Sequence, residues 1–320
     1  MRLNELGKEY DFLKGADLCY LVVAGSRAYG TDVESSDLDL RGCYLDKLVD
    51  VLGIGEKKKE EIEDRETDTV VYSLRKYAML LAKCNPNVIE SLGVRDCDVV
   101  HCNEIGKKLR EKREMFLSKR AYVTFAQYAE AQLRRLENAL ARDSYPDEEK
   151  EKHILKSIKA MLLSGERMYT NYDKVKEMRL EIGEDEKIEI SVEIEKMPLR
   201  DFLRINSDLS NMLRNYGKLT GRNKKKDEAH LNKHAMHLIR LYYMGIDILK
   251  NREIVTYREK EHDLLMSIRH GEMPYSMVFE LQRKLKKELD EAYDETKLEE
   301  EPDYKKINAF LEEAYIGVKI

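Results

Sequence analysis

The run Leu18-Cys19-Tyr20-Leu21-Val22-Val23-Ala24 is the longest apolar stretch in the chain. It is rich in β-branched and aromatic residues, and Gly25-Ser26 ends it abruptly, which marks a buried strand. Arg27-Ala28-Tyr29 then opens a short helix that stops at Gly30. A buried strand that turns at once into a helix needs a sheet covered by other elements, with the turn at one end of that sheet. The run is far short of the roughly 20 apolar residues that cross a bilayer, so no membrane partner is expected. Met1 to Glu5 lacks the basic-then-apolar layout of a signal peptide, and the expected location is cytoplasmic. The cysteines agree: five, an odd number, with no CxxC pair. Cys97, His101 and Cys102 lie close together but do not complete a zinc set, and Cys19 and Cys43 read as buried strand thiols.

Around this strand the hydrophobic period changes repeatedly over residues 1–117, as in an α+β unit. Leu3, Leu6, Tyr10 and Leu13 share a stripe and predict a helix over Leu3–Ala16. Asp37–Leu45 alternates and predicts a second strand, Asp68–Ser73 a third. The charge-dense Lys57–Glu66 reads as a loop. Helices are expected over Leu74–Ala82 and after Asn85-Pro86, where Val88, Ile89 and Leu92 follow. Residues 118–320 are mostly helical in pattern. Tyr122, Phe125, Ala129, Leu133, Leu136 and Leu140 step by three and four, and Ile154, Ile158, Met161 and Leu162 stripe the next helix. Leu231–Leu249, Met277–Tyr293 and Tyr304–Tyr315 follow. Ile188, Ile190, Val192 and Ile194 alternate, which predicts a hairpin or irregular insertion near 180–196. The expected organisation is therefore a mixed domain over 1–117 and a helical domain over 118–320. The 57 basic and 62 acidic residues nearly cancel, which excludes a generally polybasic nucleic-acid binder and leaves room for a local basic groove. Arg222-Asn223-Lys224-Lys225-Lys226 is one basic loop of that kind.

The chemistry concentrates in Gly25-Ser26-Arg27-Ala28-Tyr29-Gly30 and in Ser36-Asp37-Leu38-Asp39. A strand that ends in Gly-Ser and a helix presents unpaired N–H groups, and Gly25 lets an anion approach the backbone. Asp37 and Asp39 stand two apart on extended chain, so their side chains share a face, with Cα atoms about 6–7 Å apart. Two such carboxylates repel unless a cation lies between them, and magnesium favours carboxylate and phosphate oxygens. A phosphate cradle beside a carboxylate pair reads as a metal–nucleotide site. On the helix over 231–249, Lys233, His237 and Arg240 form a cationic stripe suited to a polyphosphate, and Lys76 could join it. His234 shares a face with His237 and reads equally as a core residue.

The string Gly25-Ser26-Arg27-Ala28-x-Gly30 with Ser36-Asp37-x-Asp39 resembles the signature of the DNA polymerase β-like nucleotidyltransferase superfamily. Ser73-Leu74-Arg75-Lys76-Tyr77, Asn85-Pro86-Asn87-Val88-Ile89-Glu90 and Lys233-His234-Ala235-Met236-His237-Leu238-Ile239-Arg240-Leu241 are similar to its RNA-repair branch, the RlaP or YcgL-like group. The resemblance implies a catalytic domain over 1–117 that moves a nucleoside monophosphate from a nucleoside triphosphate to an acceptor hydroxyl. It implies Mg²⁺ or Mn²⁺ on Asp37, Asp39 and a third carboxylate. Asp68 is the best placed for that role, with Glu66 and Asp64 within slip distance, and the resemblance implies that Asp68 activates the acceptor hydroxyl. It implies that Gly25 and Ser26 hold the β,γ-phosphates, within a nucleotide site that also includes Arg27, Tyr29, Gly30, Ser36, Lys76, Lys233, His237 and Arg240. An RNA 3′ end is the favoured acceptor. A protein or small-molecule hydroxyl, or a nucleotide-binding regulator or toxin–antitoxin component with little turnover, are the other readings.

Overall fold

The computed structural model of the chain describes residues 2–54, 60–144, 175–182, 188–194, 198–199, 203 and 228–317. A five-stranded mixed sheet forms the N-terminal part. Its strands are β1 (Leu18–Val23), β2 (Leu40–Tyr44), β3 (Glu61–Asp64), β4 (Thr69–Ser73) and β5 (Val99–Cys102), in the order β3-β4-β2-β1-β5. β2 and β4 run parallel and the other neighbours antiparallel. All six residues of β1 are buried, because the strand is flanked on both edges. Gly42 of β2 crosses β1 so closely that a Cβ there would stand 2.1 Å from the Tyr20 carbonyl oxygen.

Four short helices, α1 (Gly25–Tyr29), α2 (Leu48–Leu52), α3 (Leu74–Ala82) and α4 (Pro86–Ile89), and then α5 (Glu104–Glu111), accompany the sheet. Ser73 caps α3 by accepting the Lys76 N–H, and Asn103 caps α5 by accepting from Ile105 and Gly106, which fixes where each helix starts. The rest is mostly helical: α6 (Arg120–Ser144), α7 (Glu228–Asn251), α8 (His262–Arg269), α9 (Tyr275–Glu295) and α10 (Tyr304–Ile316). α7 is the central helix. It buries residues on nearly every face, among them Leu238, Tyr242 and Ile246. Gly245 lets neighbours close in: a Cβ there would lie 3.0 Å from Leu289 of α9 and 3.2 Å from Phe125 of α6.

Compactness groups Met1–Arg135 with Glu228–Ile320, and separates Leu136–Asp227. This grouping follows contacts, whereas the division at 117/118 follows a change of period. Within the second unit, β6 (Val175–Ile182) and β7 (Ile188–Ile194) pair antiparallel as a hairpin over the alternating isoleucines. The stripe from Ile154 to Leu162 and the basic loop Arg222–Lys226 lie outside the described residues.

Four local expectations change. Leu3–Ala16 is not one helix but two 3-10 segments, Leu3–Glu5 and Lys8–Leu13, parted by an extended Gly7. The stripe 3, 6, 10, 13 fits a three-residue period almost as well as 3.6. Within the segment expected as a loop, Glu61–Asp64 forms edge strand β3, paired residue for residue with Thr69–Tyr72 of β4. The second strand starts at Leu40 and not at Asp37, because the ladder to β1 runs out just past Val23. Strand β5 falls outside the strands that the sequence pattern predicts. Its Val99–Cys102 is too short to show a period.

Among the described residues no helix is long and apolar enough to cross a membrane. Cys19, Cys43 and Cys84 are buried free thiols, as their strand and core positions require.

Candidate active site

β1 delivers the chain to α1, and the Ala24 N–H extends the β1–β2 pairing by bonding the Asp39 carbonyl at 2.8 Å. That bond draws Asp39 alongside Gly25. Gly25 has φ +61°, and a Cβ on it would stand 1.8 Å from Asp39 Oδ2. Glycine is thus required here twice, by its backbone angle and by the carboxylate seated against it. Between these two positions the loop is tied by polar bonds. Arg27 donates to the Ser36 carbonyl at 2.9 Å, and Ser36 Oγ accepts the Val33 N–H at 2.9 Å. Arg27 and Ser36 therefore shape the loop that returns the aspartates to α1.

The parallel register Leu40↔Thr69, stepped back by one, sets Asp39 beside Asp68. Their carboxyl groups touch. Burial and the Asp68 charge push Asp39 up to about 6, against the opposing pull of Arg41 and Lys233. Asp68 is itself a non-glycine residue in the left-handed region, at φ 42°, just ahead of β4. Arg41 Nη2 pairs with Asp68 Oδ1 at 2.9 Å and its Nη1 donates to the Asp68 carbonyl, so Asp68 is held from two sides. Of the neighbouring acids, Asp64 is committed elsewhere: its carboxylate accepts from the Thr67 N–H and hydroxyl, which hold it below the usual carboxylate range. Asp37 is exposed, two residues before Asp39. Among the described residues no three His, Cys, Asp or Glu side chains converge as a metal site, so the full trio Asp37, Asp39 and Asp68 is not assembled. The touching pair Asp39–Asp68 still fits a hard divalent cation. Mg²⁺ is commonly held by one or two carboxylates, with substrate phosphates and water completing its shell.

α7 reaches this end of the sheet. Lys233 is exposed, and its charge acts on Asp39. Arg240 is 0% exposed and pairs with Glu90 at 3.0 Å. Its guanidinium lies 3.5 Å from the Tyr29 ring centroid, and the Tyr29 hydroxyl donates to Glu90 at 2.6 Å. Arg240 also donates to His237 Nδ1 at 3.1 Å. Burial and the Arg240 charge hold His237 far below the usual imidazole value, so it is neutral and accepts that bond. Arg240 and Tyr29 are thus enclosed behind α1, where a phosphate would have to displace Glu90 to reach the guanidinium. Lys76 lies elsewhere. It follows the far end of β4, about 17 Å of strand from Asp68, and pairs with Glu61 at 2.6 Å. Sequence reading did not single out Arg41, nor Glu90 as the partner of Arg240. Glu90 does close the string Asn85–Glu90, but each of the two acts through a partner distant in sequence, so its pairing carried no local signal.

A strand–turn–helix that meets two touching carboxylates on adjacent strands, in a small mixed sheet, is the arrangement of a polymerase-β-like nucleotidyltransferase. The model of the RNA repair pathway DNA polymerase beta family, RlaP, matches residues 1–165, and the chain belongs to that family. No curated protein and no solved structure matches it.

Proposed function

We propose that the chain transfers a nucleoside monophosphate from a nucleoside triphosphate to a hydroxyl acceptor, an RNA 3′ end. The observation that carries this is the Asp39–Asp68 carboxyl pair seated against Gly25, where β1 turns into α1. In this reading Gly25 and Ser26 receive the β,γ-phosphates, and Lys233 is the cation on α7 that approaches the same end of the site. The acceptor oxygen forms its bond to the α-phosphorus, the α–β anhydride bond breaks, and pyrophosphate leaves with its electron pair. The hydroxyl proton passes to a carboxylate oxygen of Asp68, which Arg41 orients. Asp39 and Asp68, with Asp37 as a further ligand, would hold Mg²⁺ or Mn²⁺, which would supply charge stabilisation to the reacting oxygens. Positioning and charge are the main sources of rate in such transfers.

Membership of an RNA-repair family supports RNA as the acceptor. The test offers α-labelled nucleoside triphosphate with Mg²⁺ or Mn²⁺ to RNA, protein and small-molecule hydroxyls together. Label on RNA and its loss in Asp37→Asn/Asp39→Asn are the expected results. Label on protein or on small molecules replaces the acceptor. Activity that survives the double substitution sinks the reading, and tight nucleotide binding without pyrophosphate release would favour a regulator.

A further inference from the structure

The family match ends at residue 165, yet several of the side chains packed behind α1, among them Arg240, Tyr257 and His262, come from beyond it. The irregular segment between α7 and α8 is tied down along its length. Thr256 Oγ1 donates to the Glu90 carbonyl at 2.5 Å. The Ile254 carbonyl passes so close to Gly93 that a Cβ there would lie 2.1 Å from it. Arg258, whose side chain is 4% exposed, pairs with Asp247 of α7 at 2.5 Å and with Glu261 at 3.2 Å.

So anchored, the segment meets α1 at Gly30. Gly30 has φ +71°, and a Cβ on it would stand 2.2 Å from Tyr257 Cε2. Arg95 backs the Tyr257 ring at 4.0 Å. His262, the first residue of α8, donates from Nε2 to the Gly30 carbonyl at 2.8 Å. The last carbonyls of a helix have no intrahelical partner, and a helix of five residues has no stability of its own. α1 therefore takes its position from what holds its ends. Asp39 lies against Gly25 at one end, and Tyr257 with His262 closes on Gly30 at the other.

We propose that His262 and Tyr257 are positioning residues of the nucleotide-binding turn. They fix Gly30, and through about 7.5 Å of helix they set the placement of Gly25 and Ser26 against Asp39. This rests on the nucleotidyltransferase reading, which supplies the nucleotide.

The test compares His262→Leu, which removes the donor, with His262→Gln, whose amide still donates. Amide exchange over residues 25–31 without nucleotide reads the grip, and KM for nucleoside triphosphate against kcat reads its use. His262→Leu is expected to speed exchange in that segment and raise KM about tenfold, with kcat within about threefold, since a misplacement of about 1 Å costs up to about 100-fold. His262→Gln restores most of both. Tyr257→Phe, which keeps the ring, matches wild type, and Tyr257→Ala behaves like His262→Leu. Unchanged exchange, unchanged KM, or a glutamine variant no better than leucine overturns the proposal. Failure of the nucleotidyltransferase reading shows in the wild type as absence of turnover. Failure of this inference shows only in the variants.

Discussion

The two sides of α1 solve opposite electrostatic problems. In front, Asp39 and Asp68 bring two carboxyl groups into contact, and burial together with the Asp68 charge pushes Asp39 up to about 6. Behind, Arg240 and Glu90 bring opposite charges together at 3.0 Å in a place sealed from water, with Tyr29 bonded into the pair. The front is left electrostatically unfinished and open to ligand; the back is matched charge for charge. A helix of five residues can stand beside an unstable front because its back is fixed. The difference suggests where substitutions damage folding and where they damage chemistry.

The largest effect is expected behind α1. Glu90→Ala strands a buried guanidinium, and loss of one partner of a buried pair costs about 3–5 kcal/mol. Urea unfolding measures it, and a loss under about 1 kcal/mol would show that the back is not the anchor. Glu90→Gln, which keeps an acceptor for Tyr29, should fall between. Next in size is Gly30→Ala, with a left-handed backbone angle and Tyr257 in the path of the new methyl group. Its expected cost is about 1–3 kcal/mol.

The front gives a smaller effect of opposite sign. The folded state holds the Asp39 proton more tightly than the unfolded chain does, because its folded value is about 6. Between about pH 4 and 6 the unfolded state therefore binds fewer protons, and stability falls as pH rises through that window and stays lower above it. Solvent screening of this half-exposed group limits the fall to about 1–2 kcal/mol. Thermal melts in chelator from pH 4.5 to 7.5 should show the decline in wild type and not in Asp39→Asn. Added Mg²⁺ should raise the wild-type melting temperature at pH 7.5 and leave Asp39→Asn unmoved. A wild-type profile that rises with pH across this window would contradict the charge assignment, provided the other carboxylates are matched by the variant. The smallest effect is expected at Lys76→Met. It breaks a partly exposed pair with Glu61, costs under about 1 kcal/mol, and leaves KM for nucleotide unchanged.

What the sequence disclosed follows the same division. Gly25, Gly30 and Asp39 meet the turn where the sequence put them because a turn is a local feature, read within some 15 positions, whereas Asp37, expected beside Asp39, stays exposed. The end of β1 and the short helix after it were legible for the same reason, whereas the start of β2 at Leu40 was not. The back of α1 was not. Arg240 meets Glu90 across 150 positions and His262 meets Gly30 across 232, and no periodicity encodes such pairings. Lys233, His237 and Arg240 do share one helix, as their spacing requires. Helical spacing alone could not show that Arg240 turns inward to Glu90 while Lys233 stays exposed. Edge strand β3 was hidden by composition. Glu61, Glu63 and Asp64 read as loop, and only pairing with the apolar β4 makes them a strand.

The most direct test of the front of α1 as the reacting side is pyrophosphate release in a single turnover. Wild type and Asp39→Asn would be compared with nucleoside triphosphate, Mg²⁺ and RNA, both shown folded by their melting curves. A loss of at least about 1000-fold is expected in Asp39→Asn, at a melting temperature equal to or above that of wild type. Release within about tenfold of wild type from a folded Asp39→Asn protein would contradict it.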